Sequence, residues 1–297
     1  MEVMRKTVII LSLVLMLSSF AGSASGGTEN YCNTFYGQDA GISTVCNWPG
    51  SGAVNTFIGR DAGKANITGS ANTFLGFSAG SNTTVDANTF MGYYSGTSNT
   101  TGERNTLIGV FSGFDNTTGS YNTFLGNYAG SNNTTGSYNI FIGPSAGSTN
   151  TVENYNTLIG FNADIDGLSD SVTNATAIGN KAYVSQSNSL VLGSIKYVNS
   201  AAASVNVGIG TSAPVRQLHV AGENAVFRMD RTANTAAFML VRTDVSGNPM
   251  KTFVVGTNAS ASNTGEFVIN DLATAVSGPG SRRMTIANDG SVNFPGA

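Results

Sequence analysis

Charge is scarce in this sequence. Lys and Arg number 14 and Asp and Glu number 17 over 297 residues, for a net charge of −3. There is no basic stripe of the kind that binds nucleic acid, so no nucleic-acid partner is expected. Histidine occurs once and cysteine twice, which argues against the usual zinc-ligand sets. We therefore expect no metal site and no cofactor.

Long apolar runs are also scarce. The run at 8–17 follows Arg5 and Lys6 and precedes the small residues Gly22-Ser23-Ala24, a pattern typical of a secretory signal peptide over residues 1–24. The run is too short for a good membrane span, although an uncleaved anchor is the alternative. We expect an extracytoplasmic protein, secreted or on the cell surface, with no transmembrane span once the signal is removed.

A repeated five-residue phrase, typified by Asn-Thr-Phe-Leu-Gly, dominates the rest of the chain. Successive copies start 22, 17, 16, 17, 17, 17 and 17 residues apart, and degenerate copies follow at Ala175 and Ser189. A near-constant period of this length, rich in Gly, Asn, Thr and Ser, predicts stacked β-coils and not helices. We predict an all-β fold, with a parallel β-solenoid over 55–193 whose coils each have two short strands and two tight turns. The full phrases start at Asn33, Asn55, Asn72, Asn88, Asn105, Asn122, Asn139 and Asn156.

Strand alternation assigns the side chains of each phrase to two faces. The fourth residue is aliphatic in every copy from Asn55 onward, so we place it inside the coil, and the third residue then lies on the opposite face. A continuous apolar row on that second face predicts self-association, with an aromatic ladder on a monomer as the alternative. The predicted coil core is Ile58, Leu75, Met91, Ile108, Leu125, Ile142, Ile159 and Ile178. The predicted self-association face is Phe57, Phe74, Phe90, Leu107, Phe124, Phe141 and Leu158.

The two cysteines mark the start of the repeats. Cys32 precedes the first phrase, and Cys46 lies in the extra residues that lengthen the first repeat. In an oxidising compartment they are expected to form a disulfide. It would close a loop of ~15 residues and stabilise the fold by about 3 kcal/mol in the entropic model. We interpret 25–54 as a disulfide-bridged cap with the first repeat, 194–205 as a connector, and 206–297 as a small β-rich domain.

The phrase N-(S/T)-x-(I/L)-G, followed by G-x-x-A, resembles the head domain of trimeric autotransporter adhesins over about 33–193. The copies at 175–179 and 189–193, 14 residues apart, fit that family best. The resemblance implies a left-handed β-roll, a homotrimer, an association with the outer membrane, and a host, matrix or cell-surface ligand of protein or glycan. The segments 206–214 and 217–220 are similar to a module of phage tail-fibre-like proteins.

No catalytic residues are expected. The single histidine, His219, lies within the apolar segment Leu218-His219-Val220 and is interpreted as structural. Asp39 and Asp61 occupy one repeat position, but later copies do not keep the carboxylate there. We therefore predict a non-enzymatic adhesive protein, with a structural fibre or appendage subunit as the alternative.

Two further readings of the repeats are less favoured. A Thr column would suit an ice-binding protein, but it shares a face with the aliphatic residues that we place inside the coil. The Asn-x-Thr triplets, such as Asn116-Thr117-Thr118, fit glycosylation acceptors, yet turn formation or Asn ladders explain them better. The Thr column is Thr56, Thr73, Thr89, Thr106, Thr123 and Thr157.

Overall fold

The computed structural model describes residues 32–47, 50–167, 172–221, 237–243, 249–257, 267–273, 281–287 and 289–295. The predicted signal peptide at 1–24 lies outside these residues. The regular elements described are all β-strands. The chain divides into two compact units, 1–221 and 222–297, so residues 206–221 group with the first unit and not with the C-terminal domain as predicted.

The first unit is a parallel β-solenoid, which confirms the predicted fold. Ten of its strands form one sheet in the order β1-β2-β3-β4-β5-β6-β7-β8-β10-β12. Every parallel pair aligns one phrase with the next; Phe74, for example, lies opposite Phe57 and Phe90. The strands are β1 (Asn33–Tyr36), β2 (Asn55–Ile58), β3 (Thr73–Leu75), β4 (Thr89–Met91), β5 (Thr106–Ile108), β6 (Thr123–Leu125), β7 (Ile140–Ile142), β8 (Thr157–Ile159), β9 (Asp164–Ile165), β10 (Thr176–Ile178), β11 (Tyr183–Val184) and β12 (Leu190–Leu192).

The other side of each coil differs from the prediction of a second strand per coil. Among the described residues, a second strand forms only late in the solenoid, where β9 and β11 pair in parallel. In the preceding coils that side stacks through isolated backbone hydrogen bonds, such as the one from Thr117 N–H to the Thr134 carbonyl (2.8 Å). Turn-forming Asn, Thr and Gly occupy this side, and they favour turns over regular strands.

The alternation of the strands is as predicted, but the two faces are exchanged. In the phrases from Asn55 to Asn156 the third residue lies inside the coil of a single chain, fully buried (0% exposed), so the predicted self-association face is wrong. These buried residues are Phe57, Phe74, Phe90, Leu107, Phe124, Phe141 and Leu158. The fourth residue, predicted to form the coil core, lies on the outer face and is partly exposed at Ile58, Leu75, Met91, Ile108, Leu125, Ile142, Ile159 and Ile178.

Small residues across the coil make room for the aromatic rings. A Cβ atom at Gly96 would lie 2.6 Å from the Phe90 ring, and a Cβ atom at Gly80 would lie 2.7 Å from the Phe74 ring. The rings stack from coil to coil, with centroids 4.7 Å apart for Phe124 and Phe141. The core of each coil is therefore one large side chain from the strand packed against a small-residue turn.

Two columns of buried asparagines line the rest of the interior. The first consists of the phrase asparagines. Asn122 is typical of them, since its Oδ1 accepts the Asn139 backbone N–H (3.0 Å) and its Nδ2 donates to the Gly136 carbonyl (2.8 Å). In the second column, Asn133 Nδ2 donates to Asn116 Oδ1 (2.8 Å). Each buried amide is thus hydrogen-bonded by the next coil, which avoids the cost of an unpaired polar group.

The N-terminal end of the solenoid carries the predicted cap. Cys32 and Cys46 form a disulfide, with Cα atoms 6.4 Å apart. The loop between them adds backbone hydrogen bonds to the next coil, from Gly41 N–H to the Ala62 carbonyl (2.9 Å) and from Val45 N–H to the Ile67 carbonyl (2.9 Å).

The strands after the solenoid form two further sheets. In the first unit, β13 (Val207–Ile209) pairs in parallel with β14 (Leu218–Val220). The second unit is an antiparallel five-stranded sheet in chain order, which agrees with the predicted small β-rich domain. Its strands are β15 (Ala237–Thr243), β16 (Pro249–Thr257), β17 (Phe267–Ala273), β18 (Ser281–Ile286) and β19 (Val292–Asn293).

Candidate interaction surface

The outer face of the ten-stranded sheet is uncharged along its whole length. It presents the second and fourth residues of every phrase, which are Thr or aliphatic in all strands but β1, where the fourth residue is Tyr36. Leu75 and Met91 are each 39% exposed, so the aliphatic column is half covered by its own neighbours and half open. Such a continuous apolar and hydroxyl surface is typical of an interaction site.

The Thr column lies on this outer face as well. Thr106 and Thr123 are partly exposed beside Ile108 and Leu125. The sequence-based argument against an ice-binding role placed the threonines inside the coil, and the structure contradicts it.

An aromatic cluster occupies the corner after the strand in four consecutive coils. Its rings pack both face to face and edge to face: Tyr94 stacks on Phe111 with an interplanar angle of 4°, whereas Tyr93 stands at 88° to Tyr94. Tyr93 and Tyr128 are its most exposed members, at 46% and 45%. We define the aromatic cluster as Phe77, Tyr93, Tyr94, Phe111, Phe114 and Tyr128.

Three members of the aromatic cluster adopt left-handed backbone. The φ angles of Tyr94, Phe111 and Tyr128 are 54°, 55° and 57°, in a region where a bulky residue costs roughly 1–2 kcal/mol and Asn or Asp is tolerated. Ring stacking returns about 0.5–1.5 kcal/mol per pair. Because the two effects are similar in size and opposite in sign, folding stability gives the aromatic residues no clear advantage over asparagine at this corner.

The corner before the strand carries a second aromatic feature, a single file of tyrosines. Tyr121, Tyr138 and Tyr155 stack with interplanar angles of 7° and 10°. Arg104 closes one end of the file, since its guanidinium lies 5.3 Å from the Tyr121 ring centroid and donates a hydrogen bond to the Tyr121 hydroxyl (2.9 Å). We call these three residues the tyrosine file.

The acidic residues of the solenoid have structural partners. Lys64 Nζ lies 2.8 Å from Asp61 Oδ1 and 3.6 Å from Asp39 Oδ2, and the hydrogen bond to Asp61 raises the pKa of Lys64. Asp164 is buried, and its carboxylate accepts hydrogen bonds from the hydroxyls of Ser148 (2.9 Å) and Thr149 (2.8 Å). Burial raises the pKa of Asp164, which these hydrogen bonds oppose.

The remaining candidate from the sequence is His219. His219 lies on β14, and its Nδ1 accepts the Val215 N–H (3.4 Å). In the second unit, Asp271 accepts hydrogen bonds from Lys251 Nζ (2.6 Å) and Arg283 Nη2 (2.9 Å). These bonds lower the pKa of Asp271, and the bond from Lys251 has the largest effect. Within the described part of the chain, no group of three His, Cys, Asp or Glu could hold a metal ion.

Comparison with known proteins adds no family. No protein-family model matches the sequence, and no curated protein or solved structure matches it. The described residues include no helix long and apolar enough to cross a membrane.

The Asn-Thr-Thr triplets that begin at Asn99, Asn116 and Asn133 do not present acceptor amides to solvent. Asn99, Asn116 and Asn133 are fully buried, and the Asn116 amide donates to both Asn99 Oδ1 (2.9 Å) and the Gly119 carbonyl (3.0 Å). An oligosaccharide cannot be attached to these side chains in the folded coil. The Asn ladders, suggested by the sequence as one explanation of the triplets, account for them.

Proposed function

We propose that this chain is an extracytoplasmic adhesive protein whose solenoid associates with copies of itself through the outer sheet face. The observation that carries the proposal is the uncharged row of outward side chains along the ten strands of the sheet, which are Thr or aliphatic except for Tyr36 in β1. The homotrimeric state and the adhesive role rest on the resemblance to trimeric autotransporter adhesin heads. The disulfide between Cys32 and Cys46 supports an oxidising, extracytoplasmic location.

The size of the outer face suits a stable interface. Ten strands at about 4.8 Å and a width of five residues at about 3.3 Å give roughly 48 Å by 16 Å, or roughly 800 Å² per subunit. A standard protein interface buries about 800 Å² per partner. Its centre lacks charge, as the cores of interfaces usually do, so the faces of the associated copies can pack together without burying an ion.

The test is the mass of the protein in solution, by light scattering on a sizing column. We expect three times the monomer mass for the wild type and the monomer mass for Leu125→Asp, which places a charge in the middle of the face. Thr135→Asp is the matched control, because Thr135 belongs to the same coil but is exposed on its other side, and it should keep the trimer. A monomeric wild type, or a Leu125→Asp variant that remains trimeric, would refute this interface.

The adhesive role needs its own assay. Beads coated with the protein should adhere to host cells or to matrix-coated surfaces more than beads coated with an unrelated secreted protein. Equal adhesion of the two would favour the alternative, a structural fibre subunit without a specific ligand.

Ice binding is a second candidate, favoured by the exposed Thr column on a regular sheet. The threonines of β2 to β6 lie in one line at the strand spacing of about 4.8 Å. Thermal hysteresis of a solution of the monomeric Leu125→Asp variant, with the wild type beside it, measures this activity. If neither protein shows thermal hysteresis, the ice-binding candidate is refuted and self-association is the proposed role of the outer face.

A further inference from the structure

We propose that the aromatic cluster is a binding site for a neutral saccharide chain. This inference deepens the proposed adhesive function, because it names a ligand class and a place on the solenoid for it. It uses a corner of the coil and not the outer sheet face, so binding and self-association can be tested separately.

The identity of the corner residues along the solenoid is the first argument. The left-handed position after the strand holds Asp39 and Asp61 near the N-terminal end and Asn162 near the C-terminal end, residues that this conformation tolerates well. Ser78 and Ser145 occupy it in two of the intervening coils, and the three coils between these serines place Tyr94, Phe111 and Tyr128 there, against the backbone preference. Since stacking only offsets that cost, aromatic residues in left-handed backbone are candidates for a contact made by the rings. The tyrosine file shares this backbone, with φ angles of 60°, 61° and 62°, and the geometry of the rings separates the two features.

The geometry of the rings is the second argument. In the tyrosine file all three rings are nearly parallel, so each ring covers the face of the next. In the aromatic cluster, Tyr93 stands at 84° to Phe111, and Phe114 stands at 71° to Phe111. A surface made of rings at right angles exposes parts of ring faces as well as edges, and ring faces are where the C–H groups of a sugar pack.

Polar groups in the aromatic cluster are the third argument. Tyr93, Tyr94 and Tyr128 carry phenol hydroxyls, and the exposed amide of Asn127 adjoins Tyr128. A tyrosine offers an apolar ring together with a hydrogen-bonding tip at low entropic cost. Rings flanked by hydroxyls and an amide complement the alternating C–H and hydroxyl surface of a sugar.

Charge decides that the ligand is neutral. The six members of the aromatic cluster are all Phe or Tyr, so the cluster includes no Lys, Arg, Asp or Glu. At one end, the Arg60 guanidinium lies 5.7 Å from the Phe77 ring centroid, but Asp61 neutralises it through an ion pair (3.3 Å). Asp115, beside Phe114, is an acidic neighbour that would repel a polyanion. Four coils at about 4.8 Å extend the site over roughly 14 Å between the outermost strands, which suits an oligosaccharide more than a single sugar.

The experiment measures depletion of the protein from solution by insoluble cellulose, chitin, mannan and starch, with immobilised alginate and heparin as anionic probes. The variants are Tyr93→Ala and Tyr128→Asn. Asparagine fits the φ angle of 57° at position 128, so Tyr128→Asn should keep the melting temperature of the wild type. Tyr138→Asn is the matched control, since Tyr138 has a φ angle of 61° in the tyrosine file.

We expect the wild type to bind at least one neutral polysaccharide, each cluster variant to bind it at least tenfold more weakly, and Tyr138→Asn to bind within twofold of the wild type. The inference is overturned if only the anionic probes bind, if no polysaccharide binds, or if the cluster variants bind as the wild type does. Repeating the measurement with Leu125→Asp separates the two proposals. A monomeric wild type that still binds sugar refutes self-association alone, and a trimeric wild type that binds none refutes the saccharide site alone.

Discussion

The phrase asparagines should contribute more to stability than their polar character suggests, and Asn122→Ala tests this. The substitution removes the hydrogen bonds of Asn122 to the Asn139 N–H (3.0 Å) and the Gly136 carbonyl (2.8 Å). The Gly136 carbonyl keeps a bond from Asn133 Nδ2 (3.0 Å), but the Asn139 N–H is left buried without a partner. An orphaned buried donor costs about 1–3 kcal/mol and each lost hydrogen bond about 1 kcal/mol, so we expect a loss of about 2–4 kcal/mol.

The measurement is urea unfolding followed by circular dichroism, with hydrogen exchange of the Asn139 amide as the local probe. Asn127→Ala in the same coil is the control, because Asn127 is exposed and a surface substitution of this kind changes stability by less than about 0.5 kcal/mol. Asn122→Asp adds a second check. When protonated, its carboxyl can donate to the Gly136 carbonyl, but when ionised it cannot, so its stability should fall as the pH rises. Equal losses at positions 122 and 127, or a pH-independent Asn122→Asp, would refute the ladder argument.

The remaining predictions concern the core, the cap and a buried carboxylate. Phe124→Ala should lose about 3–5 kcal/mol of stability, whereas Leu125→Ala, measured in a monomeric background by the same urea titration, should lose much less; the reverse order would restore the faces predicted from the sequence. Cys32→Ser should lower the melting temperature by an amount that corresponds to about 3 kcal/mol, and a reductant should then have no further effect on it, whereas a wild type indifferent to reductant would contradict a stabilising disulfide. Because burial raises the pKa of Asp164, the folded state holds its proton more tightly than the unfolded state, and this contribution to stability is present at low pH and is lost as the pH rises from the ordinary Asp range through the raised value. The free energy of unfolding of Asp164→Asn should therefore rise relative to that of the wild type across that pH range, in unfolding titrations at a series of pH values. A pH-independent difference between the two free energies would show that the carboxylate does not titrate in this way.

The period of the repeat was enough to predict the solenoid, because each phrase aligns with the next in a parallel sheet. It did not determine which face of each strand is the interior. Phe124 and Leu125 are both apolar, so alternation alone is compatible with either assignment. The size of the residue across the coil would have identified the interior face. Gly130 lies opposite the large Phe124. In the coil where the small Ala177 takes the position of Phe124, Val184 from β11 fills the core.

The aromatic cluster could not be predicted from the phrase, because it lies outside it. The change from Asp61 to Tyr94 at one repeat position was visible in the sequence, and it was used only as evidence against a pair of catalytic carboxylates. The significance of this change depends on the φ angle of the residue. A tyrosine at an ordinary turn position needs no explanation, but a tyrosine at a φ angle of 54° does.

Asparagine explains why the usual pattern of polar and apolar residues misleads in this fold. The phrase asparagine shares the inward face with the buried third residue, a place where a lone polar side chain would cost several kcal/mol. In a stacked repeat the next coil supplies the donor to each Oδ1, since Asn105 Oδ1 accepts the Asn122 N–H (2.9 Å) just as Asn122 Oδ1 accepts that of Asn139. The partner of Nδ2 is a carbonyl at the end of the same coil, which is Gly136 for Asn122. The interior can then hold a polar column because every member is satisfied by an identical neighbour. The column ends where the repeat loses its asparagine. Asn156 Oδ1 accepts the N–H of Ala175, but Ala175 has no side-chain amide that could accept the N–H of the following coil.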